Sequence, residues 1–338
     1  MKNILIHVKN IELIHMYEDF LNNGYDDSKI YSKEVKNMID IFNASDDWNV
    51  YLTSIDNLDY DKNKYYDIYD TKDKKYIDFT LEEINKKIDA MVIRVIGSIE
   101  GNFFNIKKYL EYIRDNYKGL VINNPSAMLK GMTKHYLCEI DPEYLKSIGI
   151  GTIKTKIYEN TVKYSELKKE YKDMDKYLIK PVSGELSNSL SNLGLIDEEF
   201  LRYKEEKVLG WVVQPIMKEI WNGEFQMLFL NSELIYSQYK EYKKEGSIPN
   251  QKNRRLHKYK PTLFEIEKFK KLIDYFKSLY NIDINICRID FMKDEYGEPI
   301  LLEFEMVNPG FFIGYMNSDD KDIEYIISKI KDFCEEHK

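Results

Sequence analysis

The sequence predicts an α/β protein with more than one sheet, and two patterns support this prediction. In residues 1–125, short apolar runs alternate with stretches of helical periodicity, which is typical of a parallel sheet with crossover helices. Near the carboxyl end, residues 287–312 read as two strands joined by a turn, and three carboxylates fall on this hairpin. A chain of 338 residues with 43% hydrophobic residues has room for about two or three domains with buried cores.

The elements of the first 125 residues can be taken in order. A mostly helical stretch is expected over 11–41, and a second helix, apolar on one side, follows the third strand and includes Phe103, Phe104 and Ile106. Residues 56–78, rich in Tyr, Asp and Lys, are expected to form a surface hairpin or an irregular excursion. The four predicted strands are NILIHV (3–8), WNVYLT (48–53), AMVIRVI (90–96) and LVIN (120–123).

The rest of the chain is predicted to mix helices with shorter strands. Residues 127–148 read as a helical stretch, 264–279 as an amphipathic helix and 319–337 as a closing helix, whereas 241–260 read as a long polar loop. Strands are expected at 149–157, 177–182, 208–216, 223–230 and 234–239, before the hairpin at 287–312.

Charge and cysteine usage exclude several classes of function. The net charge is −8 and no dense Lys/Arg block occurs, so binding to nucleic acid or to an acidic membrane is not expected as the main activity. Cys138, Cys287 and Cys334 lie far apart, which favours a reducing compartment without disulfides. With no apolar span of about 18 residues and no signal peptide, a cytoplasmic protein is expected.

The acidic hairpin is the first candidate site. In a strand, alternate residues share a face, so Glu303 and Glu305 are predicted to point one way with Leu302 and Phe304 opposite. Asp290 on the preceding strand can lie beside them. Three carboxylates without equal positive charge favour a hard cation with oxygen ligands, such as Mg²⁺. An ordinary hairpin with its polar face in solvent is the alternative.

Three lysines are candidates for contacts with phosphate. Lys180 ends an apolar strand and precedes the polar loop SGELSNS, in which Ser183 and Gly184 could help to form an anion-binding concavity; a simple surface turn is the alternative. Lys134 lies in the predicted helical stretch, and Lys240 lies at the end of the strand LIYSQYK. Most lysines on helices are simply solvated, so Lys134 alone does not define a site.

A proline-interrupted strand and an arginine in an apolar strand complete the candidates. Gln214, Pro215 and Ile216 form an extended segment with free backbone donors and acceptors, which could read an adenine edge, and Glu224 could accept from ribose hydroxyls. A domain-linking strand with a salt-bridged Glu explains the same residues. Arg94 lies in an apolar strand, where a charged residue is usually paired or placed at a ligand.

Taken in order along the chain, these features resemble the ATP-grasp superfamily of carboxylate–amine ligases, most closely its bacterial glutathione synthetase branch, with D-alanine–D-alanine ligase as a cousin. The segments that carry the resemblance are DAMVIR with VINNPSAMLKGMTKHYL, then GWVVQPIMKEIWNGEFQ, then RIDFMKDEYGEPILLEFEMVNPGFF. The resemblance implies an ATP-grasp fold with three parts. These are an N-terminal Rossmann-like α/β domain (1–125), a central lid-type α+β subdomain (126–213) and a C-terminal α+β subdomain with the metal site (214–338).

The resemblance also implies an activity: ATP-dependent joining of a carboxylate to an amine through an acyl phosphate, with release of ADP and phosphate. The implied cofactors are ATP and Mg²⁺, with two ions expected and Mn²⁺ as a substitute. The partners are small-molecule substrates, with neither nucleic acid nor membrane, and a homodimer is left open. A small-molecule kinase on the same fold and a non-catalytic ATP-binding protein are the alternatives.

The resemblance assigns roles to the candidate residues. Glu305 stands where the family usually has Asn, and the segment after Arg94 lacks the Pro-Pro-Phe run of glutathione synthetases, so the substrates are not assigned. The assignments are catalysis by Arg288 and Lys240; ATP binding by Lys134, Lys180, Ser183, Gly184, Gln214, Pro215, Ile216 and Glu224; substrate binding by Arg94, Arg254, Arg255 and Asn308; and metal binding by Asp290, Glu303 and Glu305.

Overall fold

The computed structural model of the chain describes eight ranges, and three sheets lie within them. Residues 37–43 are helical, in agreement with the carboxyl end of the helix predicted at 11–41. Residues 11–36 of that prediction lie outside the described residues. The described ranges are 1–8, 37–44, 47–94, 96–183, 190–204, 207–243, 254–309 and 320–337.

The first sheet confirms the predicted parallel unit. Its central strands run parallel in the order β2-β1-β6-β7, and their apolar runs are buried because both faces of the sheet are covered. The excursion at 56–78 is a hairpin that extends the sheet, since β4 pairs antiparallel with both β2 and β5. The strands are β1 (Lys2–His7), β2 (Trp48–Thr53), β3 (Leu58–Asp59), β4 (Lys64–Asp70), β5 (Lys75–Thr80), β6 (Ala90–Ile93) and β7 (Leu120–Ile122).

The helices α1 (Leu81–Lys87) and α2 (Phe103–Asn116) lie on either side of β6 in the chain. The apolar side of α2 is buried at Ile106 and three further residues one or two turns on, as predicted. Phe104 is the exception, because its side chain is 73% exposed.

The segment after the first sheet differs from the prediction. The single helical stretch expected over 127–148 consists of three short helices, α3 (Pro125–Gly131), α4 (Tyr136–Glu139) and α5 (Pro142–Ser147). Asp141 caps α5 and Pro142 begins it, so the chain restarts a helix there instead of continuing one. The strand predicted at 149–157 is also wrong in its first part, where Gly151 forms only an isolated bridge to Ile300.

The second sheet is small and antiparallel, in the order β10-β9-β11-β8. Its strands are β8 (Lys156–Glu159), β9 (Tyr177–Pro181), β10 (Ser191–Asn192) and β11 (Gly210–Pro215). Together with α6 (Tyr164–Glu170) and α7 (Glu198–Lys204), the sheet encloses a separate apolar core around Trp211.

The third sheet is antiparallel in the order β14-β13-β12-β15-β16, and its two faces have different partners. One face packs on α8, where Phe304 stacks on Phe276. The other face meets α9 and the first sheet through Leu228 and Ile286. The elements are β12 (Glu224–Leu230), β13 (Glu233–Tyr242), β14 (Arg254–Lys258), α8 (Leu263–Tyr280), β15 (Ile286–Lys293), β16 (Pro299–Glu305) and α9 (Asp320–Glu336).

These elements confirm the α/β class, the two late helices and the acidic hairpin. The long loop predicted over 241–260 is wrong at both ends, because β13 extends to Tyr242 and β14 occupies Arg254–Lys258. The division at 125/126 and 213/214 stays a prediction; the second boundary falls within β11. None of the helices in the described ranges is long and apolar enough to span a membrane.

Candidate functional site

A row of polar side chains crosses the third sheet on the face that does not meet α8. Gln226 on β12 lies opposite Asp290 on β15, and Asp290 lies opposite Glu303 on β16. Arg288 lies opposite Glu305 in the same way, two residues along each strand. The sheet thus brings together the three carboxylates and the arginine that the sequence singled out, although Gln226 was not predicted.

A β-bulge in β16 sets the direction of these carboxylates. The register shifts beside Asp290, so that Glu303 lies opposite Asp290 and Leu301 opposite Phe291, with Leu302 as the extra residue. The predicted alternation of Leu302 with Phe304 is therefore wrong, since Leu301 and Phe304 are the residues buried against α8. The bulge keeps Glu303 beside Asp290 without moving Phe304 out of the core.

Each carboxylate on this face has a positively charged or amide donor. Arg288 donates to both oxygens of Asp290, over 2.7 and 2.9 Å. The Lys134 ammonium lies 2.9 Å from Glu303 Oε1, and the Lys240 ammonium lies 2.5 Å from Glu224 Oε1. The expectation that the three carboxylates lack balancing charge is therefore wrong for Asp290 and Glu303, which pair with Arg288 and Lys134.

Glu305 differs from the other acids because backbone amides hold it. Its Oε1 accepts from the amides of Val307, over 2.8 Å, and Asn308, over 3.2 Å. The Asn308 side chain reaches the Gly97 carbonyl, just beyond β6. Burial, and then the neighbouring Glu303, raise the pKa of the Glu305 carboxyl. Glu305 therefore holds the turn after β16, from which Asn308 reaches the segment beyond β6.

The acids of the cluster differ in the direction in which their pKa values are shifted. Burial would raise the pKa of Glu303, but the ammonium groups of Lys134 and Lys180 outweigh it and hold that pKa at about 2. Burial likewise opposes ionisation of Glu224, yet Lys240 lowers its pKa. For Asp290, burial wins and the pKa is raised, in spite of Arg288.

Lys134 occupies a different position from the predicted one. It lies in the turn between α3 and α4, and its amide donates to the Val182 carbonyl at the end of β9 over 2.9 Å. Gly131 ends α3 directly against the hairpin, where an added Cβ would lie 2.8 Å from the Cβ of Met306. This close approach places Lys134 between the second sheet and Glu303.

Lys180 lies on β9 and is half-buried, opposite Val212. Burial, reinforced by Lys134 and opposed by Glu303, lowers the pKa of Lys180 to about 8. Ser183 follows the strand, and its buried hydroxyl has no hydrogen-bond partner among the described residues. Gly184 and the rest of the predicted phosphate loop lie outside the described residues.

The segment proposed to bind adenine makes more hydrogen bonds within the protein than predicted. The side-chain amide of Gln214 donates to the Thr155 hydroxyl over 2.8 Å, and Pro215 lies opposite Tyr177. The Ile216 amide donates to the Lys176 carbonyl over 2.8 Å, so the expectation of free backbone donors is wrong at this residue. The half-buried side chains of Pro215 and Ile216 leave an apolar surface here.

The structure distinguishes the predicted substrate arginines. Arg94 is buried directly after β6, at the carboxyl edge of the parallel sheet. Arg254 lies opposite Tyr242, whose hydroxyl bonds to Glu224, so Arg254 shares the face of the site. Arg255 lies opposite Glu241, is exposed and belongs to the other face.

Three residues of the cluster were missed by the sequence analysis: Gln226, Gln238 and Tyr242. Tyr242 donates to Glu224 Oε2 over 2.6 Å, and Gln226 donates to Asp290 Oδ2 over 2.7 Å. The available signal was alternation, since polar residues recur every second position at the ends of two otherwise apolar strands.

Solved structures show what this arrangement of sheets is similar to. D-cycloserine synthetase DcsG aligns with a TM-score of 0.65 at 12% identity, over 99% of this chain and 100% of that chain. A RiPP-associated ATP-grasp ligase from Chryseobacterium gregarium, in complex with ADP and a leader and core peptide, aligns with a TM-score of 0.59 at 12% identity, over 98% and 97%.

The chain has an ATP-grasp fold. D-alanine–D-alanine ligase from Bacillus anthracis supports the same conclusion, with a TM-score of 0.59 at 14% identity over 100% of this chain and 97% of that chain. No protein-family model and no curated protein sequence matches the chain. The ATP-grasp resemblance of the sequence is thus confirmed at the level of the fold.

The donor set of the cluster suits a magnesium ion by its chemistry, because Asp290, Glu303 and Glu305 supply only carboxylate oxygens on one face. Within the described ranges, however, no three acidic, His or Cys side chains are already gathered around a point that a metal could occupy. Arg288, Lys134 and the turn amides hold these carboxylates instead. A bound cation would have to displace those donors from the carboxylate oxygens.

Proposed function

We propose that this protein is an ATP-dependent ligase that joins a carboxylate to an amine through an acyl phosphate and releases ADP and phosphate. The observation that supports this most is the meeting of Lys134, Lys180, Lys240 and Arg288 with buried carboxylates on an ATP-grasp fold. Such a site supplies positioning and charge neutralisation, which are the main requirements of phosphoryl transfer.

In the first step, a substrate carboxylate oxygen bonds to the γ-phosphorus of ATP while the bond to the bridging oxygen breaks and ADP departs. Lys134 and Lys180, from opposite sides of the junction between sheets, would bind the phosphates. Lys240 would neutralise the charge on the γ-phosphate. Asp290, Glu303 and Glu305 would hold Mg²⁺, with two ions expected, and the metal would neutralise further phosphate charge.

In the second step, the substrate amine bonds to the acyl carbon, the carbon–oxygen bond to phosphate breaks, and the amine proton passes to the departing phosphate. Arg288 would stabilise the oxyanion that forms at that carbon. Its guanidinium pairs with Asp290; burial lowers the pKa of Arg288, but the carboxylates of Asp290, Glu305 and Glu303 outweigh burial and leave that pKa raised. Arg288 thus stays charged throughout.

The nucleotide and substrate contacts follow from the placement of the remaining residues. Gln214, Pro215 and Ile216 would line the adenine, Glu224 would meet the ribose, and Ser183 with Gly184 would approach the phosphates. Arg94, Arg254 and Asn308 would bind a substrate carboxylate, for which the paired donors of Arg are suited. We propose amino acids or small peptides as substrates; a homodimer and a cytoplasmic location stay predictions.

A screen of ADP release over amino acids, dipeptides and small acids tests this function. We expect release with one acid–amine pair, and its loss in Glu303→Gln, which removes a charge from the centre of the cluster. Glu298→Gln is the matched control, because Glu298 lies on the same hairpin but pairs with Lys268 on α8. Unchanged activity in Glu303→Gln would refute the assignment of Glu303.

Trapping with hydroxylamine separates the ligase from the two alternatives. A ligase should convert its carboxylate substrate into a hydroxamate, because hydroxylamine attacks the acyl phosphate. A kinase acting on a hydroxyl compound yields ADP without a hydroxamate. Binding of ATP without any turnover across the panel would indicate a non-catalytic ATP-binding protein instead.

A further inference from the structure

A buried pair of glutamines lies behind the carboxylate cluster. Gln226 and Gln238 are 2% and 1% exposed, and they lie directly opposite each other on β12 and β13. The next residue across the sheet from Gln226 is Asp290. Buried amide groups usually have hydrogen-bond partners, so their hydrogen bonds indicate how the amides are oriented; the exception here is Gln238 Oε1, which has no partner among the described residues.

The chemistry of the neighbours fixes the orientation of the Gln226 amide. Its nitrogen lies 2.7 Å from Asp290 Oδ2 and 3.1 Å from Glu224 Oε1, and ionised carboxylates only accept hydrogen bonds. Gln226 must therefore direct its NH₂ group to both acids. Its oxygen then needs a donor, which Gln238 Nε2 supplies over 2.5 Å.

These contacts leave Asp290 with one side available. Its Oδ2 accepts from Gln226 and from Arg288, whereas among the described residues its Oδ1 accepts from Arg288 alone. Each carboxylate oxygen can accept about two hydrogen bonds. Oδ1 is accordingly the oxygen that can still take a further ligand.

Gln226 also differs from Arg288 in charge and attachment. The proposed reaction turns Arg288 towards the oxyanion, so its hold on Asp290 would weaken at that stage. Gln226 is uncharged, so it does not compete for phosphate, and its short side chain is fixed in the middle of the sheet by Gln238. It is the donor that can stay with Asp290 throughout.

We propose that Gln226 is a positioning residue: it holds Asp290 Oδ2 so that Oδ1 is presented to the metal ion, and Gln238 fixes the Gln226 amide in that orientation. This inference rests on the proposed function, which assigns Asp290 as a metal ligand. Partners that orient metal ligands commonly contribute about 10–100-fold to metal affinity.

A titration of the full chain with Mn²⁺ in the presence of ADP tests the proposal without relying on turnover. The electron paramagnetic resonance signal of free Mn²⁺ measures how much of the ion stays unbound. Gln226→Met keeps the length of the side chain and removes its donors, and we expect it to weaken Mn²⁺ binding about tenfold or more. Gln238→Met should weaken it less, by about 3–10-fold, since Gln226 keeps its contact but loses its anchor. ADP binding in EDTA should not change in either variant.

Ser237→Ala is the matched control, because the buried Ser237 hydroxyl on the same strand bonds to the Tyr259 carbonyl, away from the carboxylates. It should lower the melting temperature and leave Mn²⁺ affinity unchanged. Mn²⁺ affinity within twofold of wild type in Gln226→Met, or an equal loss of ADP binding in EDTA, would overturn the proposal. If Gln226→Met does not fold, Gln238→Met decides by the same criteria, and a wild-type chain that binds no Mn²⁺ refutes the proposed function itself.

Discussion

At the scale of single residues, Lys134 and Glu303 neutralise each other where nucleotide and metal would bind. Their charged groups are 2.9 Å apart, although the residues are far apart in the sequence. A phosphate that attracts Lys134 leaves Glu303 free for a cation. Binding of nucleotide and binding of metal should therefore favour each other through this ion pair.

Replacing Lys134 with Met tests whether Lys134 and a metal ion compete for Glu303. We expect Mn²⁺ to bind more tightly without nucleotide, because Glu303 loses its competing partner, while metal-free ATP binds about tenfold more weakly. Calorimetric titrations measure both. Lys130→Met is the control, since Lys130 lies on α3 and pairs with Glu139. A fall in both the Mn²⁺ affinity and the ATP affinity of Lys134→Met would contradict this competition.

Lys180 provides a prediction about pH. Burial lowers its pKa to about 8, so the free protein loses this charge as the pH rises through about 8, whereas a bound phosphate favours the charged form. ATP affinity should be constant below pH 8 and fall by up to about tenfold per pH unit above it. Lys180→Arg should flatten the profile between pH 6.5 and 9.5. A flat wild-type profile would refute a phosphate contact by Lys180.

Residue types in the sequence were enough to select most of the charged cluster, because Lys, Arg, Asp and Glu in apolar strands are rarely left without a role. Their partners could not be predicted in the same way. The pairing of Lys134 with Glu303, or of Gln226 with Asp290, depends on which strands become neighbours, and short-range patterns do not contain that information.

At the scale of elements, the first turn of α8 is joined to β15 through Glu265. Thr262 and Glu265 form a capping box, and Glu265 also bonds to Tyr259 and Lys293, over 2.6 Å in each case. Burial would raise the pKa of Glu265, but Lys293, Tyr259 and Thr262 outweigh it and lower that pKa to about 2. The ionised carboxylate therefore stabilises the packing of α8 on the third sheet.

Glu265→Gln should lower the free energy of unfolding by about 1.5–3 kcal/mol at neutral pH, as expected for hydrogen bonds to a charged group. Because the pKa is lowered in the folded state, the wild-type advantage is complete above about pH 4.5 and is lost as the pH falls towards 2. Urea unfolding of both proteins from pH 7 to pH 3 measures this. Glu267→Gln, at an exposed position of the same helix, should change nothing; a constant difference for Glu265→Gln across the range would refute the ionic contribution.

Elements with continuous apolar runs or clear helical periodicity were predicted well, including the parallel strands, α8 and α9. The bulge in β16 was not, because Ile300, Leu301 and Leu302 are all apolar and alternation cannot show which of them is the extra residue. The three short helices after β7 were merged for a similar reason, since the apolar spacing continues across the turns that separate them.

At the scale of the whole molecule, a partly buried ion pair links the part of the chain that holds the second sheet to the part that holds the first. Lys204 at the end of α7 lies 2.9 Å from Glu100 in the segment before α2, and the Gly101 amide donates to the Lys207 carbonyl nearby. The two side chains are 19% and 14% exposed. This contact joins the region of the second sheet to the segment that follows Arg94 and precedes α2.

Reversing either charge should weaken this contact. We expect Glu100→Lys and Lys204→Glu each to raise the KM for substrate several-fold, and to speed protease cleavage, because an ion pair of this kind contributes about 1 kcal/mol. The double charge swap should restore much of both losses. Single and double variants that show additive losses would mean that the pair does not couple the sheets.

The order of candidate residues along the chain was enough to select the ATP-grasp fold, because each strand brings its residue to a fixed place in that arrangement. Domain boundaries were harder to predict, since a boundary is recognised by a change in composition. Here the apolar face of the first sheet continues into the third sheet, so composition does not change between them.

This shared core also has a consequence for synthesis of the protein. Ile4, Ile6 and Val50 of the first sheet are buried against Ile326 and Ile330 of α9, and Trp48 bonds to Glu335 near the end of that helix. At common rates of translation, α9 leaves the ribosome roughly 10–40 s after β7. During that interval the apolar side chains that α9 buries stay exposed, so we expect a chain that stops before α9 to bind chaperones and to be degraded.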